Sequence, residues 1–225
     1  MKTIVVMQPT YLPWLGYFDL MRNSDAFVIY DCAQFAKRSW QQRNRIRNMN
    51  GEIMLTVPVI SKGRYNQSIK DVKIDHLSSI KLTNHLDTIR FSYARSLNFS
   101  QLFPSLERIY SKGHDSLLGL NMDLIELGRE RLGIKTEIIF ASSLDVQGGQ
   151  VPALIDICKK LGGNRYLSPV GSKVYIDANN LFPGAAIDLK YQEFHHPRYP
   201  QAGCTDFISH LAFIDYLFNV TAPGF

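Results

Sequence analysis

Val5-Val6-Met7-Gln8-Pro9-Thr10-Tyr11-Leu12-Pro13-Trp14-Leu15-Gly16-Tyr17-Phe18-Asp19-Leu20-Met21 decides the fold class: it passes from an apolar strand, through a loop punctuated by two prolines, into a helix with an early glycine. A strand that feeds a helix through a tight loop leaves free backbone N–H groups and the positive end of a helix dipole converging on one spot, which suits a phosphate or a carboxylate. Gly16 lets a ligand approach the helix backbone closely. Open α/β sheets bind ligands at the carboxyl ends of their strands. Gln8, Tyr11, Trp14, Gly16 and Tyr17 are therefore candidate binding residues. The plainer alternative is that Trp14, Tyr17 and Phe18 only pack the helix on a sheet.

Outward from this stretch, short β-branched or apolar runs at residues 3–7, 26–30, 53–59, 72–74, 136–141, 165–167 and 186–191 read as strands. Helical patterns lie between them at 14–22, 39–48, 77–94, 103–110, 116–132, 151–161 and 207–218. Strands alternating with helices predict an α/β fold with a mostly parallel, Rossmann-like sheet. Residues 1–225 read as a single α/β domain, with a helical lobe inserted at 76–133. In that lobe Leu117, Leu120, Leu124, Leu127 and Leu132 mark one face, and Gly133 supplies a helix stop.

The 225 residues are 45% hydrophobic and 12% aromatic, enough for a substantial core and against disorder. The longest apolar run, 207–218, contains Ser209, His210 and Asp215 and falls short of the roughly 20 apolar residues that cross a bilayer, so no membrane insertion is expected. Its aromatic character reads as a core helix, with a homodimer contact as the alternative. No export signal is visible at the start, and Cys32, Cys158 and Cys204 form no CxxC pair. A reducing, cytoplasmic setting is expected.

The formal charge of +5 is unevenly spread. No acidic residue lies between Asp31 and Glu52, where Lys37, Arg38, Arg43, Arg45 and Arg47 form a local positive field. Read as a helix, this segment puts Lys37, Trp40, Asn44 and Arg47 on one face. Guanidinium groups bind phosphate or carboxylate in a fork, and an amide offers both a donor and an acceptor. Arg43 and Asn44 are thus the preferred ligand pair, with Lys37 as electrostatic and catalytic partner. A solvated charged face is the bland alternative, and nucleic acid is a weaker rival because no binding motif accompanies the patch.

Two further stretches carry polar chemistry. Tyr166-Leu167-Ser168-Pro169-Val170-Gly171-Ser172-Lys173-Val174-Tyr175-Ile176-Asp177 reads as a strand and then a loop, in which Ser168, Gly171 and Ser172 present hydroxyls and amides to an anion and Lys173 an ammonium. Phe194-His195-His196-Pro197-Arg198-Tyr199-Pro200-Gln201 offers His196, held extended by Pro197, and His195 as candidate general bases. Adjacent histidines on an extended chain diverge, and no Cys or carboxylate accompanies them, so no metal site is read.

The strand, proline-bearing loop and helix of the opening stretch resemble those of HxGH nucleotidyltransferases, although of that signature only the glycine stands in Trp14-Leu15-Gly16-Tyr17. MQPTYLPWLGYFDLM, KRSWQQRNRI, YLSPVGSKVYID, HHPRYPQ and FISHLAFIDYLFN together resemble, in order and along essentially the whole chain, the WbqC-like protein family of bacteria. The resemblance implies a place in O-antigen and other surface-polysaccharide clusters, and a ligand that is a nucleotide-linked sugar or a small carboxylate or acyl donor. It supplies no catalytic residues. The expected activity is that of a transferase or ligase joining an acyl or aminoacyl group to a nucleotide-linked amino sugar, with ATP and Mg as cofactors if the carboxylate is activated by adenylation. The alternatives are a non-catalytic nucleotide-sugar-binding or assembly protein and, further off, a nucleic-acid-binding protein.

Overall fold

Ile4, Val5 and Val6 are almost completely buried because their strand, β1 (Thr3–Met7), lies in the middle of a five-stranded sheet. The computed structural model describes residues 1–79, 81–203 and 206–221. Cys204, and Ile80 within the helix expected at 77–94, lie outside the described residues. The other strands of the sheet are β2 (Ala26–Ile29), β5 (Glu137–Phe140), β6 (Arg165–Ser168) and β7 (Asp188–Tyr191), in the order β5-β2-β1-β6-β7. Every pairing is parallel, with Met7 opposite Ile29 and Ile4 opposite Tyr166. This is a doubly wound, Rossmann-like α/β arrangement whose strand order reverses direction between β1 and β6. Between β2 and β5 the chain forms an antiparallel hairpin of β3 (Arg43–Asn48) and β4 (Gly51–Thr56).

The chain divides into two compact units: the first comprises Met1–Gln8, Gly16–Cys32 and Ile134–His195, and the second Pro9–Leu15, Ala33–Gly133 and the described part of 196–225. In the first, the pleat sends Ile4, Val6, Ala26, Val28 and Tyr166 to one face, where they join Val151, Leu154, Ile157 and Cys158 of α5 (Val151–Lys160) and Ile176 of α6 (Lys173–Asn179). Tyr166 stacks on Phe182, with ring centroids 5.2 Å apart. On the opposite face Phe27 meets Tyr17 of α1 (Leu15–Arg22) edge-on at 5.0 Å. Covering both faces is what a parallel sheet with apolar strands requires.

The second unit packs α2 (Leu82–Tyr93), α3 (Phe99–Tyr110), α4 (Leu117–Arg131) and α7 (Phe213–Asn219) with the β3–β4 hairpin. The Ser116 side chain accepts from the Gly119 N–H at 3.0 Å and caps α4, whose Leu117, Leu120, Leu124 and Leu127 are buried. Phe218 of α7 stacks on Tyr93 at 4.6 Å. Among the described residues no helix is long and apolar enough to cross a membrane.

Several local readings are corrected. The segment 39–48 is not helical: after a turn it becomes β3, because Arg43, Arg45 and Arg47 alternate with Asn44 and Ile46, and β4 offers a partner for that two-residue period. Residues 72–74 form only isolated bridges. The loop read across 168–177 contains the helix α6, and the helix expected at 207–218 starts only at Phe213, His210 before it standing at φ 59°. Residues 192–200 carry no strand, so His195 and His196 lie in irregular chain.

Gly163 leads into β6 where a side chain has no room: an added Cβ would stand 2.3 Å from Ile4 Cγ1 and 3.3 Å from the Cys158 carbonyl oxygen. Gly163→Ala is expected to lower the unfolding free energy by about 1–3 kcal/mol, as overpacking does. Urea titration of the two proteins measures the difference, and equal midpoints would show that β1 yields at no cost.

Candidate functional site

In the first unit the polar residues gather at the carboxyl edge of the sheet. Gln8 follows β1 and is exposed, whereas Ser168 ends β6 and is buried. The Gln192 N–H donates to the Ser168 carbonyl at 2.8 Å, and its side-chain amide donates to the Gly16 carbonyl at 2.8 Å and to Asp19 at 2.6 Å. One glutamine thus ties the start of α1 to the end of β6, across the reversal in strand order. Gly171 is exposed, and a Cβ there would meet nothing within 4 Å; Ser172 is half-buried beside it. Tyr17 is enclosed in the core, its hydroxyl having no hydrogen-bond partner among the described residues, and burial raises its pKa. His195 is exposed.

In the second unit the loop Pro9–Leu15 is pinned by two buried asparagines. Asn44 donates to the carbonyls of Tyr11 at 3.3 Å and Leu12 at 2.6 Å, and accepts from the Arg45 N–H. Leu12 stands at φ 46°, a strained setting for a branched side chain, and the amide holds it there. Asn121, fully buried in α4, donates to the carbonyls of Pro9 and Gln41. The Tyr11 hydroxyl bonds His85 Nδ1 at 2.8 Å and the Tyr110 hydroxyl. Burial lowers the His85 pKa to about 4, while a hydrogen bond to the Thr56 backbone pulls the other way. The neutral imidazole can therefore accept from Tyr11.

Strand geometry separates the expected Arg43–Asn44 pair, sending the two side chains to opposite faces. On the arginine face, Arg45 bridges to Glu52 at 3.0 Å and lies over the Trp40 ring, and Arg47 donates to Gln201 at 3.2 Å. The Arg43 side chain is half-buried and has no hydrogen bond, ion pair or ring contact among the described residues. It is the uncompensated cation of the row. Lys37 is exposed on the preceding turn.

Trp14 and His196 are brought to one cluster by a residue not anticipated, His210. Its ring stacks on Trp14 at 5.1 Å and lies 5.0 Å from the His196 ring, which also faces Tyr199 and Phe207. His196 Nδ1 is hydrogen-bonded to the Pro197 carbonyl at 2.9 Å. Burial lowers the His196 pKa and neighbouring His210 adds to the effect, against the pull of the Pro197 carbonyl. Beneath lies Asp215, wholly buried, accepting from Tyr93 at 2.8 Å, Tyr199 at 2.8 Å and Gln201 at 2.7 Å. Burial still raises its pKa. An acid inside the apolar run 207–218 was the signal for this network, since a buried carboxylate needs donors. Among the described residues no group of three or more His, Cys, Asp or Glu side chains is placed to hold a metal ion.

Two outcomes follow. Asn44→Ala leaves two buried carbonyls without a donor and is expected to cost about 2–4 kcal/mol of stability, whereas Arg43→Ala should stay within about 0.5 kcal/mol of the parent; equal losses in chemical denaturation would refute this division of roles. For His85, with a folded pKa of about 4 below an unfolded value near 6.5, the unfolded chain binds more protons between these limits. Stability should fall by about 2 kcal/mol from pH 7 to pH 5 on this account, and a His85→Gln variant should lack that part of the fall in urea titrations.

The chain matches the WbqC-like protein family over residues 8–224. It is also 31% identical to a Mycobacterium tuberculosis (strain ATCC 25618 / H37Rv) protein described as uncharacterized protein Rv1507c, over 100% of this chain and 96% of that one. No solved structure matches it significantly. With likeness of this extent, the protein belongs to the WbqC-like protein family.

Proposed function

We propose that the protein is a transferase or ligase of bacterial surface-polysaccharide precursor synthesis, attaching an acyl or aminoacyl group to the amino group of a nucleotide-linked sugar. The observation that carries this reading is the strand order β5-β2-β1-β6-β7, with its reversal between β1 and β6. Sheets of this order take ligands outside the carboxyl ends of the strands at such a reversal. Gln8 and the loop through Gly171 and Ser172 supply an amide, a hydroxyl and backbone N–H groups there, fitting a diphosphate and the hydroxyls of a sugar.

The second unit offers functional groups of its own. Arg43, lacking a counter-charge among the described residues, suits an anionic group of a substrate, with exposed Lys37 adding positive field. His196, its imidazole biased to the neutral form, suits proton removal from an attacking amine. The family setting supports the polysaccharide context. A binding protein without turnover is the second reading, supported by the extent to which Asn44, Asn121 and the Asp215 network immobilise the residues around Tyr11 and His196.

Mass spectrometry of small molecules that co-purify with the protein tests the ligand class, with a nucleotide-linked sugar expected. In titration calorimetry with nucleotide-linked amino sugars, Arg43→Ala is expected to weaken binding at least about 10-fold, the loss of one charge-assisted contact. Unchanged affinity for every such ligand would refute an anion-binding role for Arg43. Tight binding with no product on adding acyl or aminoacyl donors would favour the binding protein.

A further inference from the structure

We propose that the first unit holds the aromatic base of a nucleotide against Tyr30 and Tyr175, at the carboxyl edge of strands β1, β2 and β6. The inference rests on the nucleotide-binding role proposed above and adds to it a base subsite, on residues to which that role assigns no part.

The register places Tyr30. Its N–H donates to the Met7 carbonyl at 2.8 Å, carrying the β1–β2 ladder one step past the Met7–Ile29 pair and setting Tyr30 opposite Gln8. With Val6 opposite Val28, the two-residue alternation turns Gln8 and Tyr30 towards the face that α5 and α6 cover. Tyr30 and Cys32 pack at the margin of that face's core. Tyr175 comes from α6, beside Ile176, whose side chain enters the same core. It is 42% exposed, whereas Tyr30 is half-buried.

Tyr30, Tyr166 and Tyr191 belong to this face's core or its margin, and α6 adds Tyr175. Tyr166 is covered by Phe182, and Tyr191 donates to Asp177 at 2.5 Å while Lys173 lies 4.5 Å above its ring. Tyr30 and Tyr175 have neither a stacked ring nor a hydrogen-bonded hydroxyl among the described residues. Burial first, then Cys32 and Tyr175, raise the Tyr30 pKa. The neighbouring carboxylate does not serve them, because Asp31 accepts from both the N–H and the hydroxyl of Ser142, at 3.0 and 2.6 Å.

Two partly open phenol rings at a nucleotide-binding edge have the chemistry that a flat heterocycle requires. The rings offer apolar faces, and each hydroxyl can donate or accept at the rim of the base. Stacking tolerates any base, because every base has a π-face. The subsite should therefore strengthen binding of all nucleoside diphosphates while adding nothing for a diphosphate that lacks a base.

Titration calorimetry with inorganic pyrophosphate and with the diphosphates of uridine, thymidine, adenosine and guanosine tests this. The parent protein should bind each of the four nucleoside diphosphates roughly 10-fold more tightly than pyrophosphate, the span of a single base–aromatic stack. Tyr175→Ala, a change at an exposed position, should abolish that gap and leave pyrophosphate binding unaltered; Tyr175→Phe should keep most of it, and Tyr30→Leu should narrow it. A gap that survives Tyr175→Ala, or no gap in the parent, overturns the base subsite and leaves the diphosphate reading standing. Failure of the parent to bind pyrophosphate and all four nucleotides overturns the nucleotide-binding role itself, and the subsite with it.

Discussion

Parallel pairing on both sides of β1 is the constraint on which the first unit depends. The strand is hydrogen-bonded to β2 on one edge and to β6 on the other, and the crossovers from these neighbours run on opposite faces. Both faces must then be covered by apolar helices, and the chain must part at the carboxyl edge between β1 and β6. Gln8 and Ser168 stand at that parting, and Gln192 bridges from the end of β6 to the start of α1. The geometry follows from the order of the strands; the chemistry follows from which polar residues happen to end them.

The second unit solves a different problem, the burial of polar groups. Asp215 is removed from water altogether, and that desolvation is offset by Tyr93, Tyr199 and Gln201. Gln201 in turn takes a donor from Arg47. A carboxylate this enclosed fixes the chain around it, because losing any one donor leaves a buried charge incompletely paired. Asn44 and Asn121 act likewise on the carbonyls of the Pro9–Leu15 loop. Against this background of satisfied groups Arg43 stands out, since Arg45 and Arg47 on the same strand face both have partners.

Much of the fold was legible in the order of apolar runs. The strands at 3–7, 26–29 and 137–140 carry dense β-branched or apolar residues, those at 165–168 and 188–191 only short apolar stretches, and the helices α1 and α5 carry an apolar face. The segment 39–48 was illegible because alternating Arg and Asn fits a strand as well as a helix when no apolar periodicity breaks the tie; the partner strand β4 broke it. Helix α6 was hidden behind Pro169, Gly171 and Ser172, which punctuate a loop whether or not a short helix follows. Its placement also carries Tyr175, which the reading of a continuous loop passed over.

Local chemistry in the sequence determined the class of fold and the types of group on offer: a strand, loop and helix at the start, a run of arginines, a Ser- and Gly-bearing loop, and a pair of histidines. These follow from side-chain periodicity and turn propensity, which act over a few residues. Only the tertiary structure decided which of those groups remain available. It bound the Asn44 amide to the backbone of Tyr11 and Leu12, enclosed Tyr17 against Phe27, set His210 between Trp14 and His196, and left Arg43 without a counter-charge among the described residues. The reason is that hydrogen-bond and charge partners are chosen by proximity in space. Asn44 meets Leu12 and Tyr93 meets Asp215 across stretches of chain that no local pattern encodes.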